Sequence, residues 1–124
     1  MGIIDEIRGN RKMQNSSHSF ASYYKRATSP LVVLLFLSER QMYGYEISSE
    51  MSARSGGVYT MSVLYPVLYR LEEEGYIAPS EPEIIEGRAR YYYHITEAGK
   101  AYLKQSLADY EKMDQFLKKL SADL

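Results

Sequence analysis

SVLYPVLYRLEEEGYI, residues Ser62–Ile77, carries the pattern that decides the fold. At about 100° per residue, Leu64, Val67, Leu68 and Leu71 share one face of a helix. Ser62, Tyr65, Pro66, Tyr69 and Glu73 share the other. The pattern predicts an amphipathic helix with Thr60 as N-cap and Gly75 as its stop, leucine-backed and aromatic on its outer side. Pro66 removes the hydrogen bond to the Ser62 carbonyl, which costs about 3 kcal/mol in a helix interior and less near an N-terminus. Two readings of Pro66 stand side by side: a bend that aims Ser62 and Tyr65 at a partner, or a device that fixes the chain's path against the preceding helix. Single exposed aromatics are ordinary. Two tyrosines one turn apart on a wet face call for a contact, with a partner molecule or with another part of the fold.

Toward the N-terminus, Tyr43–Arg54 reads as a second helix, with Gly44, Ile47 and Met51 as its inward stripe. Gly56 and Gly57 end it, because glycine accepts the left-handed conformation a helix stop requires. Before it, Arg40–Met42 reads as a turn. Ser29-Pro30 predicts the start of a further, largely buried helix through LVVLLFLSE, with Ser29 as N-cap. Residues 1–28 read as an extension, with RGNRKMQNSSHS as linker and FASYYKRA as a short helix. Their basic side chains point equally to a DNA arm and to a cover over a dimer.

Toward the C-terminus, the period changes at Tyr76. Tyr91, Tyr93 and Ile95 alternate with Arg90, Tyr92 and His94, a strand pattern. EGRAR supplies the hairpin tip, with Gly87 at its turn. Thr96 caps a last helix, where Leu103, Tyr110, Leu117 and Leu124 recur every seven residues and Met113 and Leu120 fill the intermediate places. Such a seam predicts pairing of two chains.

Three helices, a ribbon and a long amphipathic helix predict a mainly α chain with a small β ribbon (α+β), a winged helix-turn-helix with an appended dimerisation helix. The divisions are residues 1–28 (extension), 29–96 (winged helix-turn-helix) and 97–124 (dimerisation helix). The chain has 124 residues and 45% apolar content, enough for a single modest core. Lacking cysteine, it has no disulfide, thiolate metal site or cysteine nucleophile. Leu31–Leu37 is too short an apolar run to cross a bilayer, no leader is read, and a cytoplasmic location is expected. The net charge of −1 leaves any electrostatic argument to local patches. His18 and His94 have no second ligand at metal spacing, and no nucleophile elbow, phosphate loop or catalytic carboxylate pair is present. No enzyme activity, metal or cofactor is expected. Glu72–Glu74 reads as a solvated face at the helix end that disfavours anions.

YGYEI (Tyr43–Ile47), SGG (Ser55–Gly57), LYPVLYRLEEEGYI (Leu64–Ile77) and GRARYYYHITEAGK (Gly87–Lys100) fall in an order and spacing that resemble the PadR family of transcriptional regulators. The resemblance covers about residues 30–122, and the short last helix is similar to that of the family's compact branch. It implies a homodimeric DNA-binding regulator, usually a repressor, released by a small molecule near the dimer interface or beside the last helix. Val63 stands where the family often has Thr or Ser, and Tyr91 where a basic residue is frequent.

On this reading Tyr43, Thr60, Ser62, Val63, Tyr65, Pro66, Tyr69, Arg88 and Arg90 are the candidate contacts to double-stranded DNA. Tyrosines serve by phenol and ring, and arginines by phosphate or minor groove. For Arg88 and Arg90 the alternative is a solvated turn, and for Tyr91–Tyr93 the packing face of the wing. Leu103, Tyr110, Met113, Leu117, Leu120 and Leu124 form the dimer seam. A two-fold dimer sets two reading helices roughly 34 Å apart and predicts a pseudo-palindromic operator. Tyr102, Tyr110, Met113 and Phe116 are candidates for an aromatic or apolar effector, or are ordinary dimer packing. The rival class is a winged-helix interaction module that dimerises and does not read DNA.

Overall fold

Ser19 opens the first helix. Its side chain accepts a hydrogen bond from the Ser22 N–H at 3.1 Å, and α1 runs Phe20–Glu39. A computed structural model of the chain describes residues 18–60 and 64–124. The helix start expected at Ser29-Pro30 is overturned, because both residues lie inside α1. Ser29 is fully buried and its hydroxyl turns backward, donating to the Lys25 carbonyl, while Thr28 does the same to Tyr24 at 2.6 Å. Pro30 costs one rung of the ladder, and packing of the whole helix against its neighbours outweighs it. The division drawn between residues 28 and 29 therefore falls within a continuous helix.

Arg40 and Gln41 lead into β1 (Met42–Tyr43), and α2 follows as Gly44–Arg54. Met42, expected in a turn, is instead a strand residue and 1% exposed. A two-residue strand is too short for periodicity to reveal. The two glycines then act as expected. Gly56 and Gly57 have φ of 63° and 82°, and their N–H groups donate to the Ala53 and Ser52 carbonyls, a Schellman stop.

Helix α3 is described over Leu64–Glu73, with Leu64, Leu68 and Leu71 buried. It ends on the same device: Gly75, at φ 80°, donates to Glu72, and Tyr76 donates to Leu71. β2 (Ile77–Pro79), β3 (Glu83–Ile85), β4 (Arg88–Arg90), β5 (Tyr92–Ile95) and α4 (Glu97–Ser121) complete the order. β5 is the central strand of an antiparallel sheet β1-β5-β2, with Met42 opposite Tyr93 and Ile77 opposite Ile95. Pro79 sits on an edge strand, where its missing N–H is tolerated. β3 and β4 form a separate ribbon that turns at Glu86-Gly87, both with positive φ. The expected hairpin tip is thus present, but Tyr91 lies outside the tyrosine strand.

One core joins the elements: Val33, Leu34, Phe36 and Leu37 of α1, Ile47 and Met51 of α2, the three leucines of α3, Met42, Ile77 and Leu103. The last of these corrects the dimer seam. Leu103 is 8% exposed and belongs to the core of its own chain. Thr96 fixes the start of α4: its side chain accepts from the Gly99 N–H at 3.0 Å and donates to the Gly75 carbonyl at 2.7 Å. One hydroxyl therefore caps α4 and ties it to the end of α3.

Candidate nucleic-acid interface

Burial of Leu64, Leu68 and Leu71 turns the opposite side of α3 outward. Tyr65 is 48% and Tyr69 71% exposed, and Pro66 is exposed between them. Tyr65 is partly backed, since its ring edge lies 3.5 Å from where a Cβ on Gly44 would stand. The small residue at the start of α2 thus leaves a seat for the ring. Thr60 is exposed at the end of the connecting loop. Ser62 and Val63, and with them the N-cap of the helix and the bend proposed at Pro66, depend on residues 61–63 and lie outside the described residues.

Between the start of α2, α3 and the ribbon lies an open cleft of about 350 Å³. Tyr43, Tyr45 and Tyr65 line one wall; Arg88, Arg90 and Tyr91 line the other. Arg88 and Arg90 are two apart on β4 and so point to one side of the ribbon. Arg88 is exposed, and Arg90 rests on the Tyr43 ring, its guanidinium carbon 4.6 Å from the centroid. The structure therefore brings Tyr43, Tyr65, Arg88 and Arg90 around one concavity, with Tyr69 further along the same helix.

Tyr93 forms part of the cleft's lining. Burial first, then the Glu72 carboxylate and the phenols of Tyr69, Tyr65 and Tyr91, hold its phenol above the usual tyrosine range. It stays a neutral donor. Tyr92 meets Tyr43 edge-on at 5.5 Å, whereas Tyr91 is exposed. Two of the three consecutive tyrosines are packed, and Tyr91 joins Tyr93 in lining the cleft. Sequence reasoning missed Tyr45, Tyr91 and Tyr93 as cleft residues. For Tyr45 the signal was there: it is 63% exposed, off the Gly44–Ile47–Met51 stripe, in the first turn of α2. Chemically, the cleft offers two guanidiniums and several phenols, a donor-rich surface suited to an anionic backbone.

The effector residues do not converge. Tyr102 stacks on Tyr76 at 4.3 Å in a cleft with Arg70 and Pro30. Tyr110 meets Tyr24 of α1, ring to ring at 6.5 Å and hydroxyl to hydroxyl at 3.4 Å, beside a groove of about 210 Å³. Met113 and Phe116 project from α4, more than 60% exposed. A one-sided wheel cannot show that the first turns of α4 are spent on the core while the last turns extend past it. Met113, Leu117, Leu120 and Leu124 remain as an exposed apolar stripe. Among the described residues no group of side chains could hold a metal ion, and no helix is long and apolar enough to cross a membrane.

A leucine-backed helix with an outward aromatic face, a three-stranded sheet and an arginine-bearing ribbon define the winged-helix class of regulator. Residues 33–105 match the model of the transcriptional regulator PadR-like family. A transcriptional regulator of Mycobacterium tuberculosis is 33% identical over 90 residues, covering 73% of this chain and 82% of that one. A transcriptional regulator structure from Clostridium thermocellum superposes with a TM-score of 0.73 at 31% identity, covering 81% of this chain and 99% of that one. A PadR family structure from Eggerthella lenta does so with a TM-score of 0.73 at 25% identity, covering 98% of each chain. The chain belongs to the PadR-like family of transcriptional regulators; it is a regulator and not an enzyme.

Proposed function

We propose that the chain acts in the cytoplasm as a homodimeric repressor that reads a pseudo-palindromic DNA operator with α3 and grips the flanking backbone with the β3–β4 wing. The observation that carries this reading is the shared cleft: the outward Tyr65 of α3 and the Arg88 and Arg90 of the wing face one concavity. Pro66 and Tyr69 extend the reading surface along the helix, Thr60 stands in the loop before it, and Tyr43 lies at its edge; Ser62 and Val63 are proposed as contacts on the sequence pattern alone. Dimerisation through α4 is supported by the apolar stripe Met113, Leu117, Leu120 and Leu124, which no part of the chain's own core covers. A small apolar or aromatic effector bound in the groove between α1 and α4, lined by Tyr24, Leu35, Leu107 and Tyr110, would release the DNA.

The test is a titration of the protein onto its own promoter, followed by fluorescence anisotropy at several salt concentrations. Specific binding with a log–log salt slope of several units is expected. Equal, weak binding to all duplexes overturns the reading in favour of an interaction module, which the exposed Glu72, Glu73 and Glu74 at the end of α3 would suit.

A further inference from the structure

Arg90 has an obvious partner that it does not use. In the register of the wing it stands directly opposite Glu83, and opposite charges facing each other across two strands ordinarily pair. Among the described residues, no ion pair includes either Arg90 or Glu83. The guanidinium lies instead over the ring of Tyr43. That ring is itself held. The Tyr43 N–H donates to Glu46 Oε1 at 3.3 Å, its backbone pairs with Tyr92, and Tyr92 meets the ring at 5.5 Å and 84°. Glu46 is anchored in turn by Arg40 at 2.8 Å.

Two consequences follow. Tyr43 belongs to the three-stranded sheet and Arg90 to the separate wing ribbon, so the contact fastens two sheets that share no ladder. Further, a guanidinium held over a ring has no oxygen acceptor there, so N–H donors remain for another acceptor. A carboxylate partner would occupy those donors.

We infer that Tyr43 is a positioning residue: its ring holds Arg90 off Glu83, so that the guanidinium keeps N–H donors for a nucleic-acid phosphate at the cleft. The phosphate rests on the DNA-binding function proposed above, whereas the stack is a property of the free protein. This gives Tyr43 a role other than direct contact with DNA.

The experiment has two readouts. In NMR spectra of the free protein, the ring current of Tyr43 shifts the Arg90 δ-methylene protons upfield. Tyr43→Leu abolishes the shift and Tyr43→Phe keeps it. With promoter DNA, Tyr43→Leu weakens binding roughly fivefold to tenfold and lowers the salt slope by about 0.9, one phosphate. Tyr43→Phe restores both, and so does adding Glu83→Gln to Tyr43→Leu, because the carboxylate that captures Arg90 is gone. Arg90→Lys, which leaves Tyr43 in place, weakens binding because an ammonium lacks the planar fork, while the salt slope is kept because the charge remains. The inference is overturned if Tyr43→Phe loses as much affinity as Tyr43→Leu, which would make the hydroxyl a DNA contact, or if the wild-type protein shows no upfield shift. Failure of the wild-type protein to bind any duplex overturns the DNA reading instead, and the ring-current shift still decides the stack.

Discussion

At Gly99 the missing side chain is what allows the last helix to start where it does. A Cβ there would fall on the Tyr76 carbonyl oxygen, well inside van der Waals contact, and against the Ile95 side chain. Neither neighbour can retreat freely: the Tyr76 carbonyl accepts from Thr96, and Ile95 belongs to the central strand. Gly99→Ala is therefore expected to lower stability by about 1–3 kcal/mol despite alanine's better helix propensity, as urea denaturation would read. No destabilisation would mean that α4 shifts at no cost. Tyr69 poses the opposite case. It is the more exposed of the two α3 tyrosines, and nothing in the fold depends on its ring. Tyr69→Ala should leave stability within about 0.5 kcal/mol and weaken operator binding about tenfold, the loss of one hydrogen bond to a charged group. Unchanged affinity in an anisotropy titration would remove Tyr69 from the interface.

Among the elements, those with a full period of sequence were legible and those without were not. Leu64, Leu68 and Leu71 declared both the existence of α3 and its inner face, and Gly56 and Gly75 declared the two helix stops. The start of α1 was misplaced because Ser29-Pro30 is a helix-start signal that tertiary packing overrides; Ser29 spends its hydroxyl on the carbonyl one turn back. β1 was hidden by its length, and Met42 reveals itself only by burial. The site was half legible. Arg88 and Arg90 follow from the hairpin pattern, but their convergence with Tyr43, Tyr45 and Tyr65 depends on how the wing folds against α2, which no local pattern encodes. At this scale two predictions separate the wing from the α3–α4 joint. Arg88 is exposed and enters no ion pair among the described residues. Arg88→Ala should reduce the salt slope by about 0.9 with the melting temperature unchanged, and an unaltered slope would show that the wing leaves phosphate untouched. Thr96→Val removes the cap of α4 and the bond to Gly75 together. A loss of about 1–2 kcal/mol is expected, with amide exchange accelerated in both the first turn of α4 and the Gly75 turn. Acceleration in only one of them would mean that the two helix ends are not joined through this hydroxyl.

For the whole molecule, the decisive feature is that α4 outruns the core that begins it. Leu103 is buried among the chain's own residues, Tyr110 rests half-exposed on Tyr24, and from Met113 onward every apolar side chain of the stripe is open. Three apolar side chains of α4 and Leu124 just past its end, each at least 60% exposed, form an apolar stripe of the kind that marks an interaction surface, and their three-four spacing suits a helix pair. The distinction makes two leucines of one heptad pattern behave differently. Leu103→Glu puts an unpaired charge in the core and is expected to cost roughly 3–5 kcal/mol, seen as loss of the cooperative melt. Leu117→Glu touches no core contact, so the chain should keep its melting transition but sediment as a monomer. A monomer engages one half-site at a time, so operator affinity should fall about a hundredfold while each wing and α3 remain intact. Analytical ultracentrifugation and anisotropy on a two-site and a one-site duplex check this together. A Leu117→Glu chain that still sediments as a dimer places the contact elsewhere, with the α1 residues Leu31 and Leu35 next to be tested. A monomer with undiminished affinity for the two-site duplex would mean that each chain reads DNA alone.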